Sequence, residues 1–418
     1  MKVDTMRAID RWAGVPLCFA LTQLRRLVCR AEPKTPPRRI LFVELSEMGS
    51  TILADPAMRK AQRTFDAELF FVIFKKNAAS LGFLGTVPDA NIFTIREDSL
   101  STLVEDTLEF LRWTRRNKID TVVDLELFSR FTALLCGLSG AARRVGFYRF
   151  HNEGLYRGEL LTHRVAYNPH IHIAKNFVAL INALASPLPE VPYSKTLIED
   201  CETVVPKVTV APDAVADMRG RIAAAFPGYD PARHRVVLFN PNASELLPQR
   251  RWPPNHFAAL AQKILDRWSD VVILITGAPA EEAEAEKLRG RVSDPRMVNF
   301  AGKQRLTELP ALYTIASLMV TNDSGPGHFS SVTDMPTIVL FGPETPALYG
   351  SLGNSQAITA GLACSPCVSA ANHRKTACVD PVCMQAIPPE QVLESVADVL
   401  DRGGLVGQRA TADEAAGR

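Results

Sequence analysis

Leu318-Met319-Val320-Thr321-Asn322-Asp323-Ser324-Gly325-Pro326-Gly327-His328 is the stretch on which the fold of this chain turns. Its first four residues are apolar or β-branched, and the next are small, polar and turn-forming. Residues 325–332 then read as a helix. A buried strand that feeds a helix through a short polar loop is the unit of a parallel sheet covered on both faces.

The same unit repeats outward from there. Strands are expected at 236–240, 271–276, 297–300, 318–321 and 337–341, with helices at 255–268, 281–291, 307–316 and 325–332. An earlier series has strands at 40–45, 68–74, 91–95 and 121–125 and helices at 51–63 and 100–116. Residues 130–205 are less regular, and Pro187, Pro189, Pro192 and Pro206 suggest that the chain leaves a first domain there. The pattern predicts an α/β protein with two Rossmann-like domains, 38–205 and 206–403. A polar Gly/Ala-rich tail, 404–418, is expected to be disordered.

A chain of 418 residues is long enough for two cores. Its net charge of +2 is too balanced for a nucleic-acid binder. Residues 1–40 nevertheless hold nine Lys/Arg against three Asp/Glu. Within the basic segment 1–37, Ile9, Trp12, Ala13, Leu17, Ala20, Leu21, Leu24, Leu27 and Val28 recur near helical spacing, interrupted by Pro16. The run is too short to span a bilayer, and Gly14, Pro16 and the close basic flank argue against a signal peptide. An interfacial helix and a helix packed on the protein's own body both fit; local charge and Trp12 favour the membrane surface. Lys34-Thr35-Pro36-Pro37-Arg38 reads as a stiff linker.

Ligands of open parallel sheets bind beyond the carboxyl ends of the strands. In the second half those ends carry Asn240 to Glu245 (with Ser244), Arg250-Arg251-Trp252-Pro253, Gly277 to Glu281, Ala301 to Gln304, Asn322 to His328, and Gly342-Pro343. Asp323-Ser324-Gly325 at a helix start suits a phosphate, or is simple capping. Arg250 and Arg251 can meet a diphosphate, or form a solvated pair. Glu281 can take ribose hydroxyls, or only favour a helix start. His328 is as readily a packed residue as a catalytic one.

The first half offers Ser46 to Ser50 after its first strand, with Gly49 permitting close approach of a ligand. Glu44, Glu47 and Asp55 are the nearby carboxylates, one of which can take a proton from an acceptor hydroxyl. No two Asp residues stand two apart, so the Asp-x-Asp pair of metal-dependent sugar transferases is absent. Charge on a leaving diphosphate then falls to Arg and backbone dipoles.

Arg250-Arg251-Trp252-Pro253, Thr321 to His328 and Leu340-Phe341-Gly342-Pro343, in this order, resemble glycosyltransferase family 9, the lipopolysaccharide heptosyltransferase family. The resemblance runs from about Arg39 to about Asp401. It implies the GT-B architecture, two Rossmann-like domains facing a cleft, with inversion at the sugar carbon and no metal or other cofactor for catalysis. By resemblance Arg250 stabilises the leaving phosphate. Asp323, Ser324, Gly325 and His328 match the donor loop, and Glu281 stands where the family contacts ribose. One departure concerns the base. The family places Asp after the glycine of its first loop; here Gly49 is followed by Ser50, a poor base. Glu47 is the favoured substitute, with Glu126 as another candidate.

Four cysteines, Cys364, Cys367, Cys378 and Cys383, have spacing compatible with structural zinc, with disulfides or with free thiols. Cys18, Cys29, Cys136 and Cys201 read as ordinary thiols, although Cys18 and Cys29 flank the N-terminal helix and could carry lipid. The expectation is a cytoplasmic enzyme, peripheral at the inner membrane face. It would move heptose or a related sugar from a nucleotide diphosphate donor, ADP-heptose first, to a lipid-linked glycan such as lipopolysaccharide core. A degenerate nucleotide-sugar or glycolipid-binding scaffold is the alternative that Ser50 supports, and a sugar-nucleotide epimerase or hydrolase is a third.

Overall fold

The computed structural model describes residues 3–27, 35–150, 155–187, 191–370 and 374–405. Part of the expected linker, with Lys34, lies outside them, as do Cys29, Pro189 and tail residues 406–418. The chain forms two compact units, Met1–Val204 and Val205–Arg418.

The first unit opens with α1 (Val3–Trp12) and α2 (Gly14–Leu27), then β1 (Arg39–Val43), α3 (Met48–Phe65), β2 (Glu68–Phe74) and β3 (Ile92–Ile95). It continues with α4 (Leu100–Arg116), β4 (Thr121–Asp124), α5 (Arg130–Leu138), β5 (Arg143–Tyr148), β6 (His163–Ala166) and α6 (Ile173–Ala185). Its six strands are all parallel, in the order β3-β2-β1-β4-β5-β6.

The second unit comprises α7 (Pro212–Ala225), β7 (Arg235–Asn240), α8 (Pro254–Arg267), β8 (Val271–Ile275), α9 (Glu282–Arg289), β9 (Met297–Asn299) and α10 (Leu309–Ile315). Then come β10 (Ala316–Asn322), α11 (Gly325–Phe329), β11 (Thr337–Phe341), α12 (Pro346–Tyr349), β12 (Ser355–Thr359), α13 (Val382–Gln385) and α14 (Pro389–Arg402). Its order is β12-β11-β10-β7-β8-β9, again all parallel. Counted from the first strand of each unit, both sheets run 3-2-1-4-5-6. The order reverses direction beside the first strand, at β1/β4 and at β7/β10.

Central strands are apolar on both faces because helices cover both: Leu238, Phe239, Ile273, Leu274, Val320 and Leu340 are fully buried. Each such side chain contributes roughly 1.5–3 kcal/mol relative to exposure. Residues 130–205 are more regular than their sequence suggested: α5, β5, β6 and α6 complete the first sheet, and the chain passes to the second unit after Val204. Polar residues disguised them. In β5 the buried Arg144 is satisfied by the carbonyls of Leu160 and Ala141 at 2.6 Å each. The N-terminal apolar run is divided at Ala13 into α1 and α2, and Pro16 lies in the first turn of α2, where no intrahelical N–H bond is due.

Candidate functional site

In the second unit the loops after β7 and β10 part at the strand-order reversal. Asn322 ties them together: its Nδ2 donates to the Pro241 carbonyl (2.7 Å), and its Oδ1 accepts from the Trp252 N–H (3.0 Å). Trp252, 1% exposed, donates its indole N–H to the Ile387 carbonyl at 3.0 Å. A buried anchor therefore fixes the basic turn Pro248–Arg250 against the sheet.

That turn brings Arg250 to the β10 loop, with its Nη1 3.4 Å from Asp323 Oδ2 and both side chains largely buried. Burial raises the Asp323 carboxyl above the usual range, opposed by the Arg250 charge and hydrogen bond. Ser324 occupies the N-cap position of α11, but its side chain caps nothing and its hydroxyl donates to the Asn322 carbonyl at 3.2 Å. The helix behind it is shorter than the sequence pattern suggested, since Ser330–Val332 is a 3₁₀ turn. One turn of helix supplies little macrodipole, so positive potential at this edge rests on Arg250. A Cβ at Gly325 would meet the Phe329 ring at 3.0 Å, so the ring would have to give way.

The expected arginine pair separates. Arg251 donates to the Ala243 carbonyl (2.9 Å) and pairs with Glu245, within its own loop. Ser244 Oγ accepts from the Leu246 N–H at 3.2 Å, closing a turn in that loop. Glu281 accepts from the Ala278 N–H at 2.6 Å, closing the turn that follows β8. His328 lies one turn into α11, and its carbonyl accepts the Ser331 hydroxyl at 2.6 Å.

One residue of this site escaped the sequence reading. Glu344, two residues past Gly342 on the β11 loop, is 3% exposed. Burial, and then the nearby Asp323 charge, push its carboxyl up to about 8, against the pull of Arg250. Its Oε1 stands 3.1 Å from Arg374 Nε and accepts no hydrogen bond. Arg374 stacks over the Tyr349 ring at 4.3 Å. The signal available was a carboxylate directly after a strand-end Gly-Pro.

Arg374 belongs to the cysteine-bearing segment, which borders the site. The Cys367 N–H donates to the Pro343 carbonyl (3.0 Å), and Gln249 Nε2 donates to the Cys378 carbonyl (2.9 Å). All seven described cysteines are free thiols. Cys383 is buried, and Cys364, Cys367 and Cys378 act on its ionisation as neighbours. Among the described residues no group of three or more His, Cys, Asp or Glu stands in metal-holding geometry.

In the first unit the corresponding reversal joins the β1 and β4 loops. Glu126 Oε1 accepts from the N–H groups of Leu45 and Ser46 at 3.0 Å each and from the Ser46 hydroxyl at 2.8 Å. Burial raises its carboxyl against these bonds. An oxygen with three donors is occupied holding the loop. Glu47 stands at the N-cap of α3 without capping it, and its Oε2 accepts the Ser50 hydroxyl at 3.2 Å. Gly49 and Ser50 are buried in the first turn of α3. Glu44 is 4% exposed, and Asp55 is fully buried and bonded to Arg59 and Thr86.

The N-terminal helices α1 and α2 pack on α5 with one face. Asp10 Oδ1 accepts from the N–H groups of Arg130 and Phe131, both at 2.9 Å, and its Oδ2 pairs with the Arg130 guanidinium at 3.0 Å. Cys18 is fully buried, and Arg25 Nε donates to the Gly137 carbonyl at 2.9 Å. Trp12, Leu17, Leu24 and Leu27 remain exposed. Among the described residues no helix is long and apolar enough to cross a membrane.

Residues 109–377 match the model of glycosyltransferase family 9 (heptosyltransferase). The chain belongs to glycosyltransferase family 9. A stretch of 165 residues is 30% identical to lipooligosaccharide heptosyltransferase 2 of Haemophilus influenzae, covering 38% of this chain and 46% of that one. Lipopolysaccharide heptosyltransferase 1 of Salmonella typhimurium is 23% identical over 339 residues, 80% of this chain and 96% of that one. The chain spans about half the length, or less, of the first curated family 9 relatives it matches. Among solved structures, E. coli ADP-heptose lipopolysaccharide heptosyltransferase II shares the fold at TM-score 0.65 and 18% identity, over 87% of this chain and 99% of that one. E. coli heptosyltransferase WaaC with ADP gives 0.58 at 17%, over 86% and 99%.

Proposed function

We propose that this family 9 chain transfers heptose or a closely related sugar from a nucleoside diphosphate donor to a hydroxyl of a lipid-linked glycan, such as lipopolysaccharide core. The observation that carries the reading is the placement of Arg250 beside the Asp323-Ser324 loop, where the order of the second sheet reverses. Arg250 receives the charge that develops on the departing diphosphate, a fixed cation aimed at a developing anion. ADP is the favoured nucleotide, because the relatives' names and the ADP-bound WaaC point to it. Glu47, oriented by Ser50, takes the acceptor proton as the hydroxyl attacks in one displacement, so configuration inverts. Catalysis needs no metal in this scheme, and transfer continues in chelator.

Exposed Trp12, Leu17, Leu24 and Leu27, in a basic N-terminal segment, support docking on an anionic inner membrane face, where the acceptor resides. The test is thermal unfolding against ADP, UDP, GDP and CDP, followed by donor consumption with and without acceptor. ADP at about 100 times its dissociation constant is expected to stabilise by ~2.7 kcal/mol, and Arg250→Ala to lose that shift. ADP-heptose should be consumed only with acceptor. Binding without turnover would favour the scaffold, and consumption without acceptor the hydrolase or epimerase.

A further inference from the structure

Two carboxylates lie buried at the edge where the anionic diphosphate is to sit. Asp323 opens the β10 loop and Glu344 lies within the β11 loop, each 3% exposed. The loops are adjacent because β10 pairs with β11 and the Asp323 N–H donates to the Leu340 carbonyl at 3.0 Å. Arg250 faces both carboxyls from the β7 side, and Arg374 faces Glu344 from the cysteine-bearing segment. With both carboxylates ionised, the two guanidinium charges are already matched. A diphosphate would then bring two or more further negative charges into a water-poor site, and like charges at close range are strongly disfavoured there. One carboxyl must carry a proton for the phosphates to take Arg250. Asp323 is held by Arg250 through a hydrogen bond, whereas Glu344 Oε1 accepts none. Glu344 is therefore the group that yields.

We propose that Glu344 enters the nucleotide complex as the neutral acid, so that the donor site takes up one proton with its diphosphate and loses affinity when Glu344 ionises. This rests on the donor-site reading above and adds a positioning residue to it. Neutral, Glu344 releases Arg250 from charge competition and offers an O–H to a phosphate oxygen. Ionised, it retains Arg250 and repels the ligand. The value of about 8 produced by burial and by Asp323 places that change just above neutrality.

The experiment is calorimetric titration of the full chain with ADP from pH 7.0 to 9.5, for wild type and Glu344→Gln, each pH in two buffers of different ionisation enthalpy. ADP's own terminal phosphate titrates near pH ~6 and is common to both proteins. Wild type should lose affinity by about tenfold per pH unit above the midpoint and take up close to one proton per ADP there. Glu344→Gln should hold its affinity within about threefold and take up none. Equal slopes and equal proton uptake in the two proteins would overturn the proposal. So would a variant weakened by the same factor at every pH, the mark of a purely structural Glu344–Arg374 pair. Equal unfolding midpoints at pH 7.0 establish that the variant is folded. If ADP binds neither protein at pH 7.0, the donor-site reading itself fails, which is a separate result.

Discussion

At the scale of single residues, the loop after β1 sets a hydroxyl beside a carboxylate. Where the family resemblance calls for Asp, Ser50 donates to Glu47 across one helical turn. A hydroxyl that cannot act as the base can still aim one. Glu47→Gln is expected to lower kcat by 10²–10⁴-fold, the usual range for a general base, with ADP affinity unchanged. Ser50→Ala should cost only about tenfold, as expected for one hydrogen bond to a charged group. Initial rates with saturating donor check both, and a fully active Glu47→Gln would remove the base assignment. Glu47 was a candidate in the sequence because it stands three residues before Ser50. Glu344 was not, because its significance depends on Asp323 and Arg250, 21 and 94 positions away.

At the scale of elements, α1 and α2 pack on the protein's own body with one face and leave apolar side chains on the other. Helix α2 packs Gly14, Cys18 and Thr22 inward, while Leu17, Leu24 and Leu27 stay outward. When apolar residues run all round a helix, the sequence does not say which stripe meets the protein. Asp10 secures the inner contact by accepting from the first N–H groups of α5 and pairing with the buried Arg130. Asp10→Ala leaves that guanidinium unmatched and should destabilise by about 2–4 kcal/mol, read from urea unfolding. Leu24→Glu with Leu27→Glu should leave stability within about 0.5 kcal/mol yet reduce sedimentation with phosphatidylglycerol vesicles at least tenfold. Unchanged vesicle binding by the double variant would remove the outward face from the docking role.

At the scale of the molecule, two sheets with the same strand order each present one reversal point, and each carries different chemistry there. The first gathers carboxylates around Ser46 and Ser50; the second gathers Arg250, Asp323, Ser324 and Glu344. Hydrogen exchange in saturating ADP should slow in residues 241–253, 323–328 and 342–350 by at least tenfold, with 44–50 unaffected. Protection confined to 44–50 would place the nucleotide on the wrong unit. The same duplicated order explains where the sequence failed. Central strands such as β1, β8 and β10 read plainly because helices on both faces require continuous apolar runs. Edge strands β6 and β12 mix buried positions with half-buried or, in β12, exposed ones, and neither was recognised.

The sequence by itself determined the parallel α/β class, the central strands and the polar loops at their carboxyl ends, because each depends on the periodicity of a short window. It also placed Arg250, Asp323 and Ser324 in the loops that meet. Tertiary structure alone decided which charges are shared. It turned Arg251 and Glu281 into their own turns, set Glu126 to hold the Ser46 loop, and buried Glu344 beside Asp323. Burial and pairing are sums over neighbours distant in the chain, and no local pattern of residue types encodes such a sum.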